Sequence, residues 1–109
     1  GSRESVRRTA DNLLRFGNIR SEAYWNFRDA LDPTQPQGST IALPPDPELV
    51  SDLTAPKFEV RGGRIWITEK TKLIKDLGRS PDRGDAVVMA YRAGPKAMTH
   101  AKLAWRRRD

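Results

Sequence analysis

Apolar positions recur at helical spacing over residues 21–31, where Ala23, Tyr24, Phe27, Ala30 and Leu31 share one stripe and Glu22, Asn26 and Asp29 lie opposite. This predicts an amphipathic helix. A sparser set, Val6, Leu13, Leu14 and Phe16 among several arginines, predicts a helix over residues 4–16 whose first part is solvated. Residues 32–47 hold five prolines, at 33, 36, 44, 45 and 47, so the segment reads as an extended loop around Ile41-Ala42-Leu43. Asp46 as cap, Pro47 in the first turn and Glu48 then start a short helix reaching Leu53, with Leu49, Val50 and Leu53 inward, and Pro56 ends it.

The period then changes. Residues 57–60 and 64–68 are β-type runs joined through Arg61-Gly62-Gly63, which predicts a hairpin. Alternation puts Phe58 and Val60 on one face of the first strand, Ile65 and Ile67 on one face of the second, and Trp66 on the other face with Lys57 or Glu59. Thr68 or Glu69 opens another short helix with Leu73, Ile74 and Leu77 inward, and Gly78 stops it as a C-cap. Ser80 as N-cap, Pro81 at the first helical position and Asp82 against the positive end of the dipole begin a helix over residues 82–92. Its run Ala86-Val87-Val88-Met89-Ala90-Tyr91 requires cover from other elements, and Gly94-Pro95 closes it. Residues 96–108 predict a last helix with Met98, Ala101 and Trp105 on one stripe and Arg106-Arg107-Arg108 at its end. The elements together give an α+β fold, mostly helical, with one β-hairpin.

Composition narrows the field. A chain of 109 residues buries one modest core, so residues 3–109 are expected to form a single domain, with Gly1-Ser2 a scar of expression cloning. With 20 Lys and Arg against 14 Asp and Glu, the formal charge of +6 favours an anionic partner. No apolar run approaches the roughly 20 residues that span a bilayer, and no charged-then-apolar leader is present, so no membrane partner is expected. The absence of cysteine excludes disulfides and thiolate metal sites, leaving a hard cation such as magnesium or manganese on carboxylates. His100 has no companion at ligand spacing.

Asp85 is the chief candidate for chemistry, because a carboxylate one turn inside a well-started helix is held rigidly. Asp82 stands three residues before it on the same helical face and is a second candidate ligand, set against its ordinary use as a capping acid. Lys70, Lys72, Lys75, Arg79 and Arg83 bracket Asp85 and are candidate phosphate contacts, set against a solvated face. Glu69 reads as a cap or surface ion pair. Arg20 and Glu22, two residues apart, do not share a face and are expected to serve different neighbours. Trp25, Trp66 and Trp105 fall in apolar patterns that suit packing better than base stacking.

The string from Gly78 through Arg79-Ser80-Pro81-Asp82-Arg83-Gly84-Asp85 to Ala90 resembles the closing motif of the nuclease half of tailed-bacteriophage terminase large subunits, the motors that package and cut DNA. Asn18-Ile19-Arg20-Ser21-Glu22-Ala23-Tyr24-Trp25 resembles that family's segment of an arginine, an acid and a tryptophan. Ile41-Ala42-Leu43-Pro44 with Glu48-Leu49 is similar to its proline-rich connection, and Gly63-Arg64-Ile65-Trp66-Ile67 with Glu69-Lys70 to its last strand. The four stand in the family's order over residues 16–92.

The resemblance implies a ribonuclease-H-like domain in which three acids hold divalent metal. The last maps onto Asp85, and the first two lie on strands that precede the Asn-Ile-Arg segment. No phosphate-binding loop of the form Gly-x-x-x-x-Gly-Lys-Ser/Thr occurs here, so ATP hydrolysis is not expected. The expectation is a C-terminal fragment, inactive alone, that gives Asp85 as catalytic and metal-binding residue to a magnesium- or manganese-dependent endonuclease. Double-stranded DNA, the terminase small subunit and the portal would be its partners, in the cytoplasm of the bacterial host. Sheet edges left open by the missing strands would favour a homodimer of the fragment. Two other classes remain open: a basic nucleic-acid-binding module without catalysis, and an interaction module docking to the portal or a partner subunit.

Overall fold

A computed structural model describes residues 4–94 apart from 10, 37 and 40, so the expected last helix, with His100, Trp105 and the terminal arginines, lies outside the described residues. In chain order the elements are β1 (Arg15–Phe16), α1 (Ile19–Leu31), α2 (Pro47–Thr54), β2 (Phe58–Arg61), β3 (Arg64–Ile67), α3 (Lys70–Leu77) and α4 (Asp82–Ala93). The fold is α+β, four helices about a small three-stranded sheet.

The hairpin forms as the sequence predicts, tightened to a two-residue turn. Gly62 and Gly63 take φ of 59° and 73°, the left-handed pair that matches strand twist and that side chains resist. β2 runs antiparallel to β3 with Phe58 opposite Ile67 and Val60 opposite Ile65. β3 is central, because β1 adds in parallel on its other side with Phe16 opposite Ile65.

That third strand replaces part of the helix expected over residues 4–16. The Thr9 hydroxyl donates to Asp11 Oδ1 at 2.5 Å, the Leu13 N–H donates to the same oxygen at 3.0 Å, and Asn12 sits at φ 62°. These local bonds offer the backbone a turn in place of a helix. Arg8 then bridges Arg15 in antiparallel fashion, and Phe16 is delivered to the core as a strand residue.

α1 starts two residues earlier than its apolar stripe suggests, because Asn18 Oδ1 accepts the Ser21 N–H at 2.8 Å and caps it. Ser21 Oγ accepts the Ile67 N–H at 2.9 Å, fixing the helix to β3. Ala23, Tyr24 and Phe27 of α1 then pack with Leu49 of α2, Ile67 of β3 and Val87 and Val88 of α4. Leu49 is fully buried, worth about 1.5–3 kcal/mol. Two residues expected inside are not: Val50 and Ile74 are exposed because α2 and α3 each bury a single narrow face; Val60, on the face it shares with Phe58, is exposed on the edge strand. α3 ends as predicted, with Gly78 at φ 75° as a left-handed cap.

The start of α4 differs from its sequence signature. Pro81 occupies the cap position, and the Ser80 hydroxyl donates to Asp82 Oδ1 at 2.6 Å without capping the helix. The donor a cap residue would satisfy, the Gly84 N–H, is taken at 2.9 Å by Oδ2 of Asp52, a wholly buried residue of α2. Oδ1 of Asp52 accepts from Arg79 Nη1 at 2.5 Å, which supplies the counter-charge. The cap therefore comes from a neighbouring helix, which requires α2 and α4 to approach closely.

Gly84 permits that approach, since a Cβ there would lie 2.7 Å from Asp52 Cβ. Alanine in place of glycine in an open helix stabilises by about 1 kcal/mol. At this contact overpacking costs about 1–3 kcal/mol and reverses the sign. Gly84→Ala is expected to lower the denaturation midpoint in a chemical unfolding titration; a raised midpoint would mean that the two helices do not meet there.

Candidate functional site

Asp85 lies in the first turn of α4, on the side turned towards α1 and the start of α3. Its Oδ1 accepts from Arg20 Nη1 at 2.9 Å and from the Tyr24 hydroxyl, both on α1. Its Oδ2 meets the Lys70 ammonium, first residue of α3, at 2.9 Å. Arg20 and Tyr24 are four residues apart and so share one helical face, with the Arg20 guanidinium 4.9 Å from the Tyr24 ring centre. The side chains of Asp85 and Arg20 are only 15% and 13% exposed, whereas that of Lys70 is 46% exposed. The acid is thus held rigidly, as the sequence predicts, but both its oxygens already face donors.

The charges follow from this packing. Burial alone would push the Asp85 carboxyl up; the bonds from Tyr24 and Lys70 and the Arg20 charge outweigh it and hold the group below the usual carboxylate range. Burial, and next the bond to Asp85, push the Tyr24 hydroxyl up, so it stays a protonated donor. One anion faces two cations, and the cluster carries net positive charge.

Beside it runs a groove of about 700 Å³, lined by Asn18, Arg20, Arg61, Arg64, Trp66 and Lys70 among others. Arg20 and Lys70 therefore stand between this groove and Asp85. The Trp66 ring packs flat on Gly17, where a Cβ would fall 2.2 Å from the ring, and Arg61 lies over the ring at 5.1 Å. Trp66 is a wall of the groove, in keeping with the packing role expected for it. Arg61 and Arg64 pair with the exposed acids Glu59 and Glu4, contacts that water weakens and an anionic ligand displaces at little cost.

Of the candidate phosphate contacts, Lys70 alone reaches this region. Arg79 turns to Asp52 and Glu48, and Arg83 pairs with Asp46 and Glu48, so both fasten α4 and its approach to α2. Asp46, capping α2 through the Glu48 and Leu49 N–H groups, is held below the usual carboxylate range: burial raises it, and those bonds and Arg83 outweigh the rise. Lys72 pairs with Asp76 one turn along α3, and Lys75 is exposed. Asp82 is exposed and accepts from Ser80, apart from the Asp85 cluster. Arg20 and Glu22 serve different neighbours as expected: Glu22, its side chain 2% exposed, accepts from the Ser5 hydroxyl at 3.1 Å and Arg92 Nε at 3.2 Å.

Arg61, Arg64 and Tyr24 were not legible as site residues. The two arginines flank the Gly-Gly turn, which was the available signal for a paired position. A tyrosine on a buried stripe needs a partner for its hydroxyl, and that was the signal at Tyr24.

Among the described residues no group of three or more His, Asp and Glu side chains could hold a metal ion. Asp85 is a single carboxylate already bound by Arg20, Tyr24 and Lys70, so the described residues do not make a cation site. No helix among the described residues is long and apolar enough to cross a membrane. Comparison with family models, with curated proteins and with solved structures finds no match.

The low Asp85 pKa makes part of the stability pH-dependent. A carboxyl depressed in the folded state stabilises above its unfolded pKa of about 3.9, and that contribution is lost as pH falls through the lower folded value. Thermal melts should show wild type ahead of Asp85→Asn by a constant margin from neutral pH to about pH 5, with the margin shrinking below about pH 4. A margin unchanged down to pH 2 would mean that the carboxylate charge does not contribute.

Proposed function

We propose that this chain is the C-terminal part of a phage terminase nuclease domain of ribonuclease-H-like type, giving Asp85 and a basic groove to a divalent-metal-dependent DNA endonuclease of the host cytoplasm. One observation carries the reading: three separate segments that resemble the family meet at one carboxylate. Arg20 and Tyr24 come from the Asn-Ile-Arg segment, Lys70 from the last-strand segment and Asp85 from the closing motif. Arg20 and Tyr24 stand more than 45 residues before Lys70 and Asp85, a separation at which nothing local brings them to the same polar group.

The roles of the side chains follow from the geometry. Arg20 and Tyr24 fix the orientation of Asp85 by binding Oδ1, leaving Oδ2 on the side of the exposed Lys70. Arg61 and Arg64, which line the same groove, would pair with phosphates of a backbone lying along it. Magnesium or manganese, held jointly with acids of strands outside this chain, would supply charge stabilisation for phosphodiester hydrolysis. Alone, the chain is expected to bind DNA without cutting it.

In the parent large subunit, assayed below the lowered melting temperature of the variant, Asp85→Asn is expected to lower metal-dependent DNA cleavage by at least about 100-fold. Cleavage at the wild-type rate would remove the assignment. A second reading, a nucleic-acid-binding module without catalysis, is favoured by the four cations of the groove. It makes Arg61→Ala with Arg64→Ala weaken duplex binding and flatten its salt dependence by a slope of about 2 at any metal concentration, with Asp85→Asn harmless to every activity of the parent.

A further inference from the structure

The outer face of the sheet carries a row of arginines. Arg61 of β2 stands directly opposite Arg64 of β3, and Arg15 of β1 stands opposite Arg64 on its other side. Arg8 bridges Arg15 in turn, where the Thr9 N–H donates to the Leu14 carbonyl at 2.9 Å. Residues paired across a sheet point to the same face, and the alternate face sends Phe16 and Ile65 into the core, so Arg8, Arg15, Arg64 and Arg61 all point outward. With neighbouring chains about 4.8 Å apart, the row is about 14 Å long.

Such a row works against the fold. Like charges directly opposite one another in a sheet are destabilising, and here every pairing along the row sets arginine against arginine. Relief is partial. Arg61 and Arg64 meet the exposed acids Glu59 and Glu4, whereas no acid among the described residues pairs with Arg8 or Arg15, both of them exposed. A local choice that costs stability without a compensating contact in the chain marks a functional surface.

The chemistry of the row selects its occupant. Guanidinium forks in line match a linear polyanion and grip phosphate through paired N–H groups. A protein partner would need apolar anchors at the centre of its contact, and the outward residues here are arginines, Glu59 and Trp66, whose ring is covered by Gly17 and Arg61. That cover also leaves no bare ring on which the unstacked bases of a single strand could lie. Duplex DNA, with one phosphate charge per about 1.7 Å of axis, supplies the density of negative charge that the row calls for.

We infer that Arg8, Arg15, Arg64 and Arg61 form a track for the backbone of duplex DNA, gripped without regard to base sequence and leading into the groove that Arg61 and Arg64 also line. The track rests on the reading above for its partner, is independent of the cutting chemistry, and adds Arg8 and Arg15 to the DNA contacts.

The test is binding of the whole chain to a labelled duplex of arbitrary sequence, followed by fluorescence anisotropy over a range of salt. Arg8→Gln with Arg15→Gln should weaken binding and flatten the salt slope by about 2, equally for unrelated sequences, and each single variant, the safeguard against misfolding of the pair, by about 1. Arg8→Lys with Arg15→Lys keeps the charges and should keep the slope. Arg28→Gln with Lys75→Gln removes two exposed charges away from the row and should flatten the slope by less than half as much. An unchanged slope in the neutral row variants, an equal loss in the Arg28 and Lys75 pair, or tighter binding of polyglutamate or of a single strand of equal charge overturns the track. Its failure is separable from that of the nuclease reading: cleavage at the wild-type rate by Asp85→Asn removes the catalysis and leaves the slopes, whereas an unchanged slope removes the track and leaves a cleavage loss at Asp85 standing.

Discussion

Asp85 joins α1, α3 and α4 through one carboxylate, and its burial explains why so many donors attend it. An ionised acid that is mostly removed from water is costly unless paired, so the sequence must bring Arg20, Tyr24 and Lys70 to the same few ångströms. Asp52 works in the same way on the other side of α4. It lies wholly buried in α2, accepts from Arg79 and caps α4 at Gly84. The two acids fix the start of α4 between α1 and α2, a definition that the small apolar core could not provide alone.

These polar ties also sort the basic residues. Arg79 and Arg83 are consumed by Asp46, Glu48 and Asp52, and a chain rich in arginine therefore has fewer cations for a partner than its net charge suggests. Those best placed for a partner gather along the hairpin and the starts of α1 and α3, where Arg20, Arg61, Arg64 and Lys70 line one groove. The proposed nuclease role places the DNA backbone there, with Asp85 behind the lysine and arginine that face the groove.

Local rules made much of the fold legible. The stripe of α1 depends only on that helix's own residues, and the Asp46-Pro47 start of α2, the Gly-Gly turn of the hairpin and the Gly78 stop of α3 each depend on residues within one turn of one another. The amino-terminal segment was not legible, because a Thr9-Asp11 turn outcompeted a weak apolar period and made a parallel strand. The α4 cap was misplaced because its acceptor comes from Asp52, 32 positions away. At the candidate site Asp85 was legible as a fixed acid, whereas its partners are 65, 61 and 15 positions distant and follow from tertiary packing alone.

The bond between Arg20 and Asp85 is where fold and proposed function meet, so its strength decides the account. The most direct measurement is a double-mutant cycle on unfolding free energy with Arg20→Met, Asp85→Ala and the pair. A coupling of about 1 kcal/mol or more between these positions, 65 residues apart, is the predicted result. Additivity within about 0.5 kcal/mol would contradict it, leaving the carboxylate without the wall that is said to hold it.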